Sequence, residues 1–376
     1  MLSERTVMSP SKRLNLLILL LVMSLLGAAC GSDDSADTTE PAAAPTTVTT
    51  EAPAPPATDP EPTTTTVAPT TTTTEAIDET ALLAAHITAQ FADWTPVVGA
   101  EALFENLSDG DESNDPFILS VRAPDVYALG HIEGAYNIPW KSIVDPENLA
   151  KLPTDEQIVV YCYTGHTGQV AAALLRILGY DAINLKFGMM GWTDDDEILG
   201  TGRYASAPGY PTETDANELT VEYEPPTVST GETDVMDIAL EAAQAFLADW
   251  TPVMPADALF ENLSDGDDSN DPFVLSVRAP DAYALGHVEG AYDIPWKSIV
   301  APESLAMLPT DEQIVVYCYT GHTGQAAATA LAMMGYDAIN MKFGMMGWTD
   351  DDEILATGRY SGAPAYPTET EINELP

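Results

Sequence analysis

Hydrophobic and polar positions divide the chain into three stretches of different texture. A single apolar run, Leu14 to Leu26, follows the basic pair Lys12 and Arg13 and is broken only by Asn15 and Ser24. From Gly31 to about Ala76 apolar positions nearly vanish. Thr, Pro, Ala, Asp and Glu fill that segment, with uninterrupted threonines at Thr63 to Thr66 and Thr70 to Thr74. Such a stretch buries too little apolar surface to offset the entropy of ordering it, so it reads as a disordered tether. Beyond it, short β-rich runs alternate with helical patterns. Phe117 to Val121, Gln157 to Tyr161 and Ala182 to Leu185 read as buried strands, and Gln169 to Leu178 as a helix stopped by Gly179. Alternating strands and helices predict an α/β fold, a parallel sheet flanked by helices.

That pattern occurs twice. Leu152 to Gln169 (LPTDEQIVVYCYTGHTGQ) recurs unchanged as Leu308 to Gln325, and Lys186 to Leu199 as Lys342 to Leu355, at an offset of 156 residues. A repeat of this length is a whole domain, not a solenoid unit. Between the copies, Thr220 to about Thr233 is polar and carries Pro225 and Pro226, as a linker would. The expected organisation is a signal peptide (1–29), a tether (30–76), a first domain (77–220), a linker (221–233) and a second domain (234–376). A complete repeat on each side of a polar linker predicts two domains that fold alone and sites whose effects add.

The N-terminal signal gains detail from its flanks. A basic start, a short apolar run and the small residues Gly27, Ala28 and Ala29 make a secretory signal. The ending Leu26-Gly-Ala-Ala-Cys30 resembles a bacterial lipobox, with Gly27 where Leu is usual. The resemblance implies lipidation of Cys30 and an exported lipoprotein held at the cell membrane, facing the extracytoplasmic side. The apolar run is short for a membrane span. Charge then narrows the partners. With 59 acidic against 13 basic residues and a net charge of -46, the chain lacks the cationic surface that nucleic-acid phosphates require. Three cysteines, Cys30, Cys162 and Cys318, exclude a disulfide scaffold.

One thiol per repeat remains. Cys162-Tyr163-Thr164-Gly165-His166-Thr167-Gly168 runs from a buried strand into a helix, and Cys318-Tyr319-Thr320-Gly321-His322-Thr323-Gly324 repeats it. Amides of such a loop converge on one point, where the helix N-terminus adds partial positive charge. A thiol there is favoured as thiolate, and the same cradle suits an anionic persulfide. The glycines permit the tight curvature the cradle needs. In an open α/β sheet this place, beyond the carboxyl end of a strand, is where sites form.

The unit resembles a rhodanese domain. Ser120-Val-Arg122-Ala-Pro-Asp125-Val-Tyr127-Ala-Leu-Gly130-His131-Ile-Glu-Gly134-Ala135 is similar to the family's first signature, Cys-x-x-Gly-x-Thr to its active loop, and Leu185-Lys-Phe-Gly-Met-Met-Gly-Trp192 to its third. The three occur in order, twice, over about three quarters of the chain. The resemblance implies a sulfurtransferase with Cys162 and Cys318 as nucleophiles and no metal or organic cofactor. It implies two partners, a small sulfur donor and a thiol or other nucleophilic acceptor, and Arg122 and Arg278 as substrate contacts. Its departures bear on the donor. Ser120 and Ser276 replace the usual Asp of Asp-x-Arg, Tyr163 and Thr164 stand where thiosulfate enzymes place basic residues, and Val126 and Ala282 stand where those enzymes carry Arg. A mouth so poor in cations does not favour thiosulfate.

Several residues carry two readings. His166 and His322 either move a proton at neutral pH or point to water. His131 and His287 orient the chain. Lys186 and Lys342, just after the last strand, either attract an anionic donor or lie solvated on the rim, as do Lys141 and Lys297. Asp109, Asp111, Ser113 and Asp115 alternate as a Ca²⁺ loop does but lack its sixth Gly and twelfth Glu, so a solvated acidic turn is the expectation. Thr193 to Glu197 reads as a helix start with acids in its first turn. Rhodanese-like domains also serve as tethered binding or sensing modules, which is the alternative to an enzyme. A related phosphatase or arsenate reductase fits poorly, since those loops are one residue longer and carry Arg.

Overall fold

The computed structural model describes residues 77–375, so the apolar run, Cys30 and the tether lie outside the described residues. Among the described residues no helix is long and apolar enough to cross a membrane. The first repeat begins with α1 (Glu79–Ala92), β1 (Val97–Val98), α2 (Ala100–Leu107), β2 (Phe117–Ser120), α3 (Pro124–Tyr127) and β3 (Tyr136–Asn137). After a 3-10 turn (Trp140–Ser142) come α4 (Pro146–Leu149), β4 (Ile158–Tyr161), α5 (His166–Ile177), β5 (Ala182–Leu185), α6 (Gly188–Trp192) and α7 (Asp196–Leu199). A short strand, β6 (Thr212–Glu213), lies between the repeats.

The second repeat opens with α8 (Val235–Leu247), β7 (Val253–Met254), α9 (Ala256–Leu263), β8 (Phe273–Ser276), α10 (Pro280–Leu285), β9 (His287–Val288) and β10 (Tyr292–Asp293). A second 3-10 turn (Trp296–Ser298) leads to α11 (Pro302–Leu305), β11 (Ile314–Tyr317), α12 (His322–Met333), β12 (Ala338–Met341), α13 (Met345–Trp348) and α14 (Asp352–Leu355). The strands form two five-stranded sheets, ordered β1-β5-β4-β2-β3 and β10-β8-β11-β12-β7, and every pairing within them is parallel. β2, β4 and β5 are covered on both faces, which is why their sequences run continuously apolar instead of alternating.

Local chemistry sets the element ends. Asp78 opens α1 by accepting the Ala81 N–H at 3.0 Å, and Asp195 opens α7 by accepting from Glu197 and Ile198. Leu83, Ile87 and Phe91, spaced by four, turn one stripe of α1 into the core. Trp94, with its indole N–H on the Ala182 carbonyl at 2.9 Å, anchors the chain to β5, and Trp250 does the same to Ala338 at 3.0 Å.

The two repeats do not stand apart. Their buried apolar residues form one contiguous core, and α5 packs against α12 across the boundary. The Lys297 Nζ donates to the Ala92 carbonyl at 2.6 Å, and the Lys141 Nζ to Ala248 at 2.8 Å, so each lysine closes the last turn of the other repeat's first helix. The residues of 220–233 are also tied down: Tyr223 N–H bonds to Ala306 O, and Thr230 and Gly231 donate to the Glu79 carboxylate.

More unexpectedly, each repeat sends its C-terminal tail onto its neighbour. Tyr210 stacks on Phe260 at 4.0 Å, Pro211 accepts the Trp348 indole N–H at 2.8 Å, and β6 pairs antiparallel with β9. Reciprocally, Tyr366 stacks on Phe104 at 4.1 Å, Pro367 accepts the Trp192 indole N–H at 2.8 Å, and Glu369 bridges to His131. Division of the chain into 77–220, 221–233 and 234–376 follows the order of the sequence, whereas the packing cuts across it. The independence expected from the polar linker is not what the structure has.

Candidate active site

Each cysteine sits at the carboxyl end of the middle strand of its sheet, where β4 or β11 gives way to a helix. The turn is made by Gly165 and Gly321, both at φ +89°, which an L side chain adopts only with strain. Their amides point back at sulfur: Gly165 N–H to the Cys162 Sγ and Gly321 N–H to the Cys318 Sγ, each at 3.1 Å. Gly165 is the residue before α5, so the first amides of that helix, from His166, Thr167 and Gly168, face the same end. Thr323 and Gly324 stand in the equivalent first turn of α12. Both cysteines are free thiols, and each residue is buried, at 1 % exposure.

A second loop backs the first. After β5, Phe187 takes a left-handed conformation at φ 64° and Gly188 follows at φ 52°; Phe343 and Gly344 do the same at 65° and 55°. This bend lets Met189 N–H reach the Cys162 carbonyl at 2.9 Å and Met190 N–H reach Tyr163 O at 2.8 Å. A Cβ on Gly188 would stand 2.5 Å from the Cys162 oxygen, so only glycine fits. The glycine-rich third signature is therefore the wall that fixes the cysteine loop. Asn184 Nδ2 adds a bond to the Gly165 carbonyl at 3.0 Å, and Asn340 to Gly321 at 3.1 Å.

The histidines of the loops are neither solvated nor in reach of bulk water. His166 and His322 are each 3 % exposed, with ring centres 6.0 Å apart. Phe343 N–H donates to His166 Nε2 at 3.0 Å, and Phe187 N–H to His322 Nε2 at 3.1 Å, each across the boundary between repeats. Since Nε2 accepts, the proton is on Nδ1, which donates to Thr164 Oγ1, or Thr320 Oγ1 in the second loop, at 3.0 Å. Burial, with the neighbouring His322 and Lys342 adding to it, holds His166 well below the ordinary imidazole range. His322 is pushed down to about 3 by burial and by Lys186. Both are neutral at physiological pH, which answers the choice the sequence left open: the two rings brace the interface.

Arg122 and Arg278, offered by the sequence as substrate contacts, are almost fully buried. Their Nη2 groups donate to the Gly130 and Gly286 carbonyls at 2.6 Å, and their Nη1 groups to Ile198 and Ile354 at 2.8 and 3.0 Å. They tie the end of one strand to the helix beyond it. Lys186 and Lys342 are half-buried, with each Nζ 5.3 Å from the centre of the next residue's phenyl ring. Tyr163 and Tyr319, next to the cysteines, accept the Ala123 and Ala279 N–H groups on their hydroxyl oxygens at 3.0 and 3.1 Å. His131 and His287 stack on Tyr127 and Tyr283 and bond to their carbonyls at 2.9 Å. The acidic turn closes on itself: Asp109 accepts from Asp111 N–H, and Asp111 from the Ser113 hydroxyl.

The sequence passed over Tyr204 and Tyr360. Tyr204 Oη donates to Met346 O at 2.8 Å and Tyr360 Oη to Met190 O at 2.7 Å, both across the boundary. Their rings pack edge-on against Phe343 and Phe187. No motif marks them, because they follow the last signature.

A parallel α/β unit that ends its central strand in a cysteine, cradles the sulfur with a loop amide and leads into a helix is a thiol-bearing domain of one recognisable class. The Rhodanese-like domain family matches residues 100–195 and 256–351, and the chain belongs to that family. Among curated proteins it is similar to the probable adenylyltransferase/sulfurtransferase MoeZ of Mycobacterium tuberculosis, 27% identical over 250 residues that cover 62% of this chain and 59% of the relative. It is similar to a sulfurtransferase of Allochromatium vinosum, 30% identical over 96 residues, 25% of this chain and 85% of the relative. It also resembles the thiosulfate sulfurtransferase GlpE of Pseudomonas paraeruginosa, 38% identical over 80 residues, 21% of this chain and 71% of the relative. The chain thus spans little more than half the length of the first of these.

Proposed function

We propose that this protein is an exported, membrane-anchored sulfurtransferase that carries sulfane sulfur on Cys162 and Cys318. The observation that carries the reading is the N–H···S contact at 3.1 Å in both repeats, made by a glycine at the mouth of a helix. In the first step the Cys162 thiolate attacks the sulfane sulfur of a small donor. The donor's bond to that sulfur breaks, a new S–S bond forms on Cys162, and the donor leaves with the electron pair. In the second step an acceptor thiolate attacks the outer sulfur, and Cys162 departs as thiolate. Electrons balance without a cofactor. The negative charge on the persulfide is met by the Gly165 amide and the first amides of α5. Sulfurtransferase names among the relatives support the reaction class. Export and the lipid on Cys30 rest on the sequence alone.

The test is intact-mass analysis after exposure to thiosulfate, mercaptopyruvate or polysulfide. Two reducible sulfur additions are expected in the parent, one in Cys162→Ser, one in Cys318→Ser and none in the double variant. One observation favours the binding-module reading: both cysteines are nearly inaccessible. A parent that takes up no sulfur from any donor would point there.

A further inference from the structure

We propose that each cysteine loop is held in its working shape by the histidine of the other repeat: His322 positions the Cys162 loop, and His166 the Cys318 loop. The inference rests on the reading of these cysteines as sulfur carriers, and it makes both repeats necessary for either site.

Three observations converge on it. The first is the bond itself. Phe187 N–H donates to His322 Nε2 at 3.1 Å and Phe343 N–H to His166 Nε2 at 3.0 Å, with the acceptor in each case belonging to the other cysteine's loop. The second is strain. Phe187 and Phe343 are bulky residues at φ 64° and 65°, a conformation that a side chain with a Cβ disfavours and that surrounding structure must impose. Their amides, with that hydrogen bond, are held where the bend needs them. The bend then delivers Met189 and Met190 to the carbonyls of Cys162 and Tyr163, and Met345 and Met346 to those of Cys318 and Tyr319.

The third is contact with the cradle. A Cβ on Gly165 would lie 2.5 Å from His322 Nε2, and one on Gly321 would lie 2.6 Å from His166 Nε2. The imidazole of one repeat therefore lies directly against the glycine whose N–H points at the other repeat's sulfur. From that position His322 supports the Cys162 loop twice, through the wall behind it and through the glycine itself. Thr320 fixes the tautomer by receiving the Nδ1 proton at 3.0 Å, which leaves the Nε2 lone pair free to accept. His322 is thus a positioning residue for Cys162. It touches no reacting atom there.

The test reads the cysteine in the other repeat. Full-length protein is treated with iodoacetamide under native conditions, and alkylation is timed on the peptide that carries Cys162. Because Cys162 is buried, its alkylation is limited by opening of the loop. His322→Phe keeps an aromatic ring but no acceptor, and leaves the Phe187 N–H unpaired. About a tenfold faster alkylation of Cys162 is expected, the factor that loss of one buried hydrogen bond gives. His322→Gln loses the ring but offers a carbonyl oxygen near the Nε2 place, and should restore most of the protection. A cooperative thermal transition in both variants shows that they fold. An unchanged Cys162 rate in His322→Phe, or equal rates in the two variants, overturns the proposal. Should His322→Phe fail to fold, an unprotected Cys162 in folded His322→Gln overturns it as well. Iodoacetamide needs no sulfur donor, so this result stands apart from success or failure of sulfur uptake.

Discussion

Replacing His322 with Gln should flatten the pH dependence of folding below neutrality. In the native protein His322 is pushed down to about 3, chiefly by burial and then by Lys186. In the unfolded chain an imidazole titrates near 6.5. Between those values the unfolded state binds a proton that the native state refuses, so stability is full above about 6.5 and is lost as pH falls. At pH 5 the unfolded histidine is about 1.5 units below its midpoint, which at roughly 1.4 kcal/mol per unit costs the native state about 2 kcal/mol. That figure holds for any native value well under 5. Urea unfolding of parent and His322→Gln at pH 7 and pH 5 should therefore show the parent losing about 2 kcal/mol more than the variant over that interval. Asp293, pushed up to about 6 by burial, titrates in the same window and cancels in the comparison. Parallel stability curves would refute the reasoning, because they would mean that His322 is charged in the native state or solvated there.

The exchanged tails and the cradle glycines give further expectations. Tyr366→Ala, a change in the second repeat's tail, removes a ring stacked on Phe104 and packed against Trp192; it should cost about 2 kcal/mol of global stability in urea titration and raise hydrogen exchange in the first repeat's α2 and α6. Residues 234–376 expressed alone lack Tyr210, Pro211 and Glu213 over Trp348 and His287 and should show no cooperative thermal transition, whereas a sharp transition would restore independence of the repeats. Gly165→Ala places a Cβ 2.5 Å from His322 Nε2 at φ +89°; a loss of more than about 2 kcal/mol is expected, read as a lowered Tm.

Local features of the fold were legible because they depend on neighbours in sequence. Continuous apolar runs marked β2, β4 and β5 within a residue of their observed ends, and Ala182–Leu185 matched. The helix after the cysteine began earlier than composition suggested, at His166 instead of Gln169. Thr and Gly disfavour helix interiors, but here they occupy the first turn beside the cradle, where the next strand's Asn184 and the wall loop fix the backbone. The trans contacts were not legible, and the duplication itself is the reason. When two copies share their residues at a fixed offset, a contact within one copy and the same contact between copies use the same residue types. Glu213 bonds to the motif containing His287, and nothing in its sequence surroundings favours that over His131. Likewise the Tyr204 hydroxyl donates to the Met346 carbonyl of the other repeat, while its backbone N–H bonds to the Met190 Sδ of its own. Arg122 and Arg278 were misjudged for another reason. An arginine near a site is ordinarily a ligand for anions, but here the Nη groups of each buried guanidinium are taken by carbonyls of Gly130 and Ile198, or Gly286 and Ile354.

Transfer itself is the most direct measurement. Protein loaded with sulfane sulfur, freed of donor and mixed with a small thiol acceptor should lose one sulfur mass from each of Cys162 and Cys318, with an equal amount of persulfide appearing on the acceptor. Loaded protein that keeps its sulfur in the presence of acceptor, or a parent that never loads while its folded state is intact, would contradict the account.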